Sequence, residues 1–426
     1  MMSYRLGRRG FLTGMLGVSS LPLVGSLPAR AQDKTLRVFG YGDGAGLKGL
    51  FDAFEKVSGV KVAYEGVPFA DLQNTIVQRF RTGNSGIDVF LVDPTYIPTF
   101  SKLGILADLT SAFVEKSKGI LFPSDVQGAT YNGKMLSMPM WESSQLLYFN
   151  KKLLAKAGVE APGISPDARM TWDQVLELAK KAQAAGAEIG FGFEQVDRYY
   201  QLQVLTESLG GGPGVKGDDL LTVDVANEAW LQAGRWYGSI FADGVASRGP
   251  TGQEMPDLFK AGRLAFLVGG PWLIADFNKA EGLDYAAAPH PYFAGGNAVT
   301  PSESFHLGVA ADTTNADQAL EFLNYAGLDK DGAVVAAGTN LSANIEANAE
   351  VLSRIPQQNP NLKGVDTLMS YELAKTAIRR PRTLGYLQLE ELVTRAWSDI
   401  RNGSDAAQTF PQLQSELERS FKRIKA

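Results

Sequence analysis

Three carboxylates carry the first chemical possibility in this chain. Asp43 and Asp93 each end an apolar run, in LRVFGYGD and GIDVFLVDP, and Glu142 follows a tryptophan in MPMWESS. Two acids on opposite sides of a cleft are enough to hydrolyse a glycosidic bond. The bland reading of Asp43 and Asp93 is as turn formers or helix caps, because a short carboxylate accepts from backbone N–H groups just ahead of it. Other catalytic sets lack parts. The only histidines are His290 and His306, and no His-Glu-x-x-His helix, Walker loop or Gly-x-Ser-x-Gly elbow occurs. Gly40, Gly42, Gly44 and Gly46 stand at every second position, which is not the Gly-x-Gly-x-x-Gly spacing of a dinucleotide site. With no cysteine, thiolate nucleophiles, thiolate metal sites, disulfides and a lipid-bearing cysteine are all excluded. Neither a cofactor nor a metal is expected.

The elements that must position these acids follow from periodicity. Leu36 to Asp43 reads as a strand ending in a glycine-rich turn, and Leu47, Leu50, Phe51, Phe54 and Val57 then recur at helical spacing. Val60 to Gly66 is a second strand, Ala70 to Arg81 a helix and Gly86 to Pro94 a third strand. This βαβαβ order implies an α/β fold with a parallel sheet, whose ligands lie beyond the carboxyl ends of the strands. Tyr41, Asp43, Asp93, Thr95 and Tyr96 occupy those ends.

Further along, Met170 to Gly186 is an amphipathic helix with Thr171 as its cap and Gly186 as its stop. Gly190 to Gln195 reads as the strand of a second α/β unit and Arg198 to Gly211 as its helix, followed by an exposed glycine-rich loop from Gly212 to Asp219. Ser370 to Gly403 reads as two helices separated by a loop around RRPRTLGY. The last segment sets Phe410, Leu413, Leu417, Phe421 and Ile424 on one helical face that packs on the body.

The ends and the charge bear on location. Arg5, Arg8 and Arg9 precede a weakly apolar run and the small-residue pattern Ala29-Arg30-Ala31, so residues 1–31 read as a secretory signal peptide, and GRRGFL as a twin-arginine signal. The whole chain carries a formal charge of -5; its leader holds four arginines and no acid, which leaves the remainder near -9. Nucleic acid and anionic membrane are poor partners for such a surface. The expectation is an exported, soluble, monomeric periplasmic protein without a lipid anchor.

YNGKMLSMPMWESSQLLYFNKKLLAKAG (131–158) resembles the solute-binding proteins of carbohydrate ABC importers, the maltose-binding-protein-like group. GLFDAFEKVSGVKV, GIDVFLVDPTYIPTFSKLGILADLT, LFKAGRLAFLVGGPWLIADF and EFLNYAGLDKDGAV are similar to further blocks of that family, in order along nearly the whole chain. The resemblance implies the type II periplasmic-binding-protein fold, a Venus flytrap of two α/β lobes joined by crossing segments that close on a ligand. Carried over, residues 32–139 and 291–327 form lobe 1, 140–290 and 328–400 lobe 2, and 401–426 a C-terminal helix. The implied partners are a carbohydrate and the importer's membrane subunits, and the implied protein is no enzyme.

In that frame Pro271 begins a helix, Gly269 and Gly270 admit close backbone approach, and Trp272 faces the space between the lobes, where the family's matching tryptophan stacks on a sugar ring. The remaining cleft candidates are Tyr41, Asp43, Asp93, Tyr96, Trp141, Glu142, Glu194, Arg198, Tyr200, Ser304, Arg380 and Tyr386. Arg379, Arg380 and Arg382 fall within four positions, and guanidinium forks suit a sugar phosphate or sulfonated sugar as well as vicinal hydroxyls. Two alternatives therefore stand beside a neutral sugar: an anionic solute, and a secreted glycoside-active enzyme using the three acids.

Overall fold

The structure, a computed structural model, describes residues 35–250, 252 and 254–425. The expected signal peptide lies outside them.

Strand β1 (Thr35–Tyr41) pairs in parallel with β2 (Lys61–Val67) and with β3 (Val89–Val92), the βαβαβ unit read from the sequence, with helices Lys48–Ser58 and Leu72–Arg81 as its crossovers. The first strand stops at Tyr41, two residues early, because Gly42 and Gly44 turn the chain through left-handed backbone. Ahead of β3, Asp88 is fully buried and accepts bonds from the Arg37 backbone N–H and guanidinium, from Thr313 and from Asn315. Burial opposes its charge, but these donors win and hold its pKa down at about 2.

β4 (Met138–Ser144) leaves this sheet and, through the single buried residue Gln145, becomes β5 (Leu146–Asn150) of a second sheet. β6 (Ile189–Phe193), β7 (Leu264–Gly269) and β8 (Tyr285–Ala288) complete that second sheet in the order β8-β5-β7-β6, with β6 and β7 parallel. The chain returns in β9 (Thr300–Val309), antiparallel to both β3 and β4, and β10 (Leu341–Ser342) closes the far edge on β4. The large sheet therefore runs β10-β4-β9-β3-β1-β2, and β11 (Ala377–Ile378) pairs with the start of β9. Strands covered on both faces need apolar runs, and LAFLVG of β7 and VFLV of β3 are buried throughout.

Local signals held where local chemistry decides. The helix Trp172–Ala184 begins at a capping box made by Thr171 and Gln174, and Gly186 stops it in a left-handed conformation. The last helix, Ala406–Lys425, buries Phe410, Leu413, Leu417 and Phe421 against helices Glu228–Ala242 and Tyr386–Arg401. Two readings differ. The expected exposed loop from Gly212 to Asp219 contains one arm of a hairpin, Val215–Lys216 paired with Thr222–Val223, because Gly214 lies against the Trp230 indole and its glycines serve packing. Before RRPRTLGY the chain runs through a wide turn, Glu372–Thr376, into β11.

Candidate ligand site

β6 and β7 end side by side, with Phe193 paired to Val268, so the next residue of each, Glu194 and Gly269, emerges at one place beyond the second sheet. There Pro271 takes the first position of a short turn of helix, Pro271–Leu273, that leads into Ile274–Lys279. The turn is pinned from two sides. The Tyr148 hydroxyl donates to the Gly270 carbonyl at 2.9 Å and the Thr339 hydroxyl to the Pro271 carbonyl at 2.8 Å. Trp272 then folds its ring back over Gly270, where a Cβ would lie 2.1 Å from the ring carbons, and its Nε1–H donates to Glu194 Oε1 at 2.7 Å. Gly270 thus makes space for the ring and Gly269 for the Leu273 side chain, with the Glu194 carboxylate next nearest. Trp272 remains partly exposed, whereas Tyr148, Phe149, Phe266 and Tyr285 of the second sheet and Phe277 of the following helix are buried.

In the first sheet, the carboxyl ends of β1 and β2 bring Tyr41 and Phe69 together with ring centroids 4.9 Å apart. Phe305 of β9 lies 5.4 Å from Tyr41 and 6.1 Å from Trp141, and the Arg198 guanidinium covers Phe69 at 4.5 Å. Tyr41, Phe69 and Ser304 keep accessible surface; Trp141 is 8% exposed.

The charged candidates form a second, closed group. Asp93, 2% exposed, caps the turn after β3 by accepting from the Thr95 backbone and hydroxyl. Its other oxygen accepts from Arg380 at 2.6 Å, with Arg198 3.8 Å away. Arg380 also donates to the Tyr386 hydroxyl at 2.9 Å, the Tyr96 hydroxyl donates to Glu390, and the Tyr96 and Tyr386 rings meet edge-on at 5.0 Å. Arg198 lies 3.5 Å and Arg380 3.6 Å from Glu390, and Tyr200 lies under both guanidinium groups. Beside this group Arg379 bridges Glu142 at 2.7 Å and Asp125 at 3.0 Å, and Ser302 donates to Glu142. Burial first, and the nearby Glu142 second, push the Asp125 carboxyl up to about 7.

Of the sequence candidates, only Asp43 stands apart. It is exposed and accepts from the Ala45 backbone, the geometry of a turn former. Asp93 is both the cap of the bland reading and a member of the charged group. Arg380 is 3% exposed and so is no solvated surface charge, while Arg379 keeps 43% exposure. Sequence reasoning missed Phe69, Phe305, Asp125 and Glu390. Phe69 follows the carboxyl end of β2, the one strand end of the first unit from which no candidate was drawn, and Glu390 lies one helical turn after Tyr386. Among the described residues, no group of three or more acids and histidines is arranged to hold a metal.

The model of the family described as bacterial extracellular solute-binding protein matches residues 41–333. The chain belongs to this family. It is a family of solute-binding proteins and not of enzymes, which removes the glycoside-active alternative. The maltodextrin-binding protein MdxE of Bacillus subtilis is 25% identical over 334 residues, 76% of this chain and 74% of the relative. Among solved structures, the ABC substrate-binding protein of Listeria monocytogenes in complex with cycloalternan superposes with a TM-score of 0.80 at 20% identity, over 91% of this chain and 99% of that one. The GacH receptor of Streptomyces glaucescens, solved unliganded and with acarbose, gives 0.77 at 22% identity, over 91% and 98%. The solute-binding protein thus has the two-lobed α/β fold of these neighbours, as its sequence resemblance implied. Among its described residues no helix is long and apolar enough to cross a membrane.

Proposed function

We propose that this solute-binding protein captures a neutral carbohydrate between its lobes in the periplasm and delivers it to the membrane subunits of an ABC importer. The observation that carries the reading is Trp272, an aromatic side chain fixed at the end of the second sheet that keeps accessible surface, together with the accessible Tyr41 and Phe69 at the strand ends of the first sheet. A pyranose presents C–H groups on its face and hydroxyls around its edge, which suits aromatic planes with polar neighbours. Similar proteins named for maltodextrin and galactooligosaccharide binding, and the neighbours solved with cycloalternan and acarbose, support the same class.

Neutrality follows from the arginines. Arg198, Arg379 and Arg380 each have a carboxylate of the protein within 4 Å, and Arg382 donates to the carbonyls of Gln127 and Thr130. An anionic sugar would have to compete with those partners, so the anionic alternative loses the observation that raised it. The lobes are proposed as the two sheets with their helices, crossing at Gln145 and again between Ala288 and Thr300. They follow the division into 32–139 with 291–327 and 140–290 with 328–400, adjusted so that residues 140–144, Lys330–Ala337, Leu341–Ser342 and Ala377–Ile378, which belong to or pack with the large sheet, go with lobe 1. Export by the twin-arginine route and a monomeric state belong to the same proposal.

The test is a thermal-shift screen against a library of neutral sugars, sugar phosphates and polyamines. A ligand at 100 times its Kd stabilises by about 2.7 kcal/mol, a readable shift. Neutral oligosaccharides are expected to raise the melting temperature; a response confined to charged solutes would overturn the reading.

A further inference from the structure

We propose that Glu194 is a positioning residue for Trp272: it holds the indole by its only polar atom, so that the ring meets a ligand by its face alone. This deepens the carbohydrate reading and rests on it for its meaning, though not for its test. The geometry has three parts. The indole nitrogen is the one hydrogen-bonding atom of a tryptophan side chain, and here it is spent on Glu194 Oε1 at 2.7 Å. Glu194, 9% exposed, is fixed in turn because its backbone N–H donates to the Val268 carbonyl at 2.9 Å, which ties it to the strand that carries Trp272. One side of the ring lies on the Gly270 backbone, close enough that a Cβ there would sit 2.1 Å away. A carboxylate at the edge and a glycine floor therefore fix both the tilt and the in-plane rotation of the ring.

The consequence concerns specificity. A tryptophan whose N–H is free can hydrogen-bond a sugar hydroxyl and tolerate several orientations of the ring. Clamped at Nε1, Trp272 offers only an apolar plane, which selects ligands with a continuous C–H face and gives no credit for a hydroxyl at the indole edge. Gly270 has φ -91° and ψ 172°, backbone that alanine adopts without strain, so the indole lying over it is what reserves the position for glycine.

The experiment is an indole-region nitrogen–proton spectrum of unliganded, 15N-tryptophan-labelled protein, with the Trp272 signal assigned by its loss in Trp272→Phe. In the wild type that signal is expected downfield and slow to exchange with solvent. Glu194→Ala should move it and speed its exchange roughly tenfold or more, the scale of a lost charge-assisted bond, while the signals of the other five tryptophans stay in place. Glu194→Gln, which keeps an oxygen acceptor, should shift the signal less and preserve slow exchange. Gly270→Ala should displace the signal with Glu194 intact. A Trp272 signal with the same position and exchange rate in Glu194→Ala as in the wild type would overturn the proposal; if that variant does not fold, an unmoved signal in both Glu194→Gln and Gly270→Ala does so. Because no ligand is present, this outcome is independent of whether the protein binds sugar, which the screen decides.

Discussion

Trp272, Tyr41 and Phe69 each keep accessible surface, while Asp93, Arg380, Tyr96 and Tyr386 are all at most 6% exposed and held to one another by hydrogen bonds and ring contact. Both groups lie near the ends of strands, and all their members but Phe69 were singled out by residue type. The difference is in what holds them. The aromatic rim is attached at one edge, by Glu194 for Trp272 and by packing for Tyr41 and Phe69, and keeps surface for something else. The charged group uses its partners up internally: removing a partner from a buried ion pair leaves an uncompensated charge, whereas an aromatic face gives up little by being left in water. Charged residues in a cleft are therefore poor guides to ligand charge unless their partners are known.

The largest expected effect breaks the charged side. Asp93→Ala takes from Arg380, in a site 3% exposed, its nearest carboxylate, leaving Glu390 3.6 Å away, and should cost ~3 to 5 kcal/mol of stability, read as a fall in the urea midpoint. An unchanged midpoint would mean that the group is not under the constraint described. The next effect, smaller within any one pH unit, comes from Asp125, whose pKa is raised from 3.8 to about 7 by burial and by Glu142. A raised carboxyl binds its proton more tightly in the folded chain, so its contribution is fully present below pH 3.8 and is lost as pH rises through about 7. Stability should decline across that window, by at most about 1.4 kcal/mol per pH unit from this group, and Asp125→Asn should flatten the decline. Equal pH slopes in both proteins would contradict the assignment. The smallest effect is one of salt. If the arginines are neutralised from within, affinity for a bound sugar should change less than about twofold between roughly 0.05 and 0.5 M sodium chloride, and a strong salt dependence would return them to the ligand.

What the sequence disclosed divides by distance along the chain. The cap at Thr171 acts within three residues and was readable, as were the parallel β1, β2 and β3 and the buried face of the last helix. The proline at the start of the Trp272 turn was readable for the same reason. The pairing of β9 with both β3 and β4 joins segments between 158 and 220 residues apart and leaves no local trace. Asp93 and Arg380 were each picked as candidates, yet their bond across 287 positions was not visible, so the arginines looked available to a ligand. Glycines misled in the opposite sense. In the stretch from Gly212 they suggested an exposed loop, but Gly214 makes room for the Trp230 ring, a tertiary demand that composition cannot express. Phe69 was passed over because an isolated aromatic after a proline carries no periodic signal.

The account's central claim, that the open aromatic rim binds and the closed charged group supports, is tested most directly by calorimetric titration of Trp272→Ala and wild type with an oligosaccharide that passes the thermal screen, beside their unliganded melting temperatures. Stacking platforms lose ~1 to 3 kcal/mol of binding on truncation, so affinity should fall roughly 5- to 150-fold while the melting temperature stays within a few degrees. Unchanged affinity, or a collapse in stability of the size expected for a core tryptophan, ~3 to 5 kcal/mol, would contradict it.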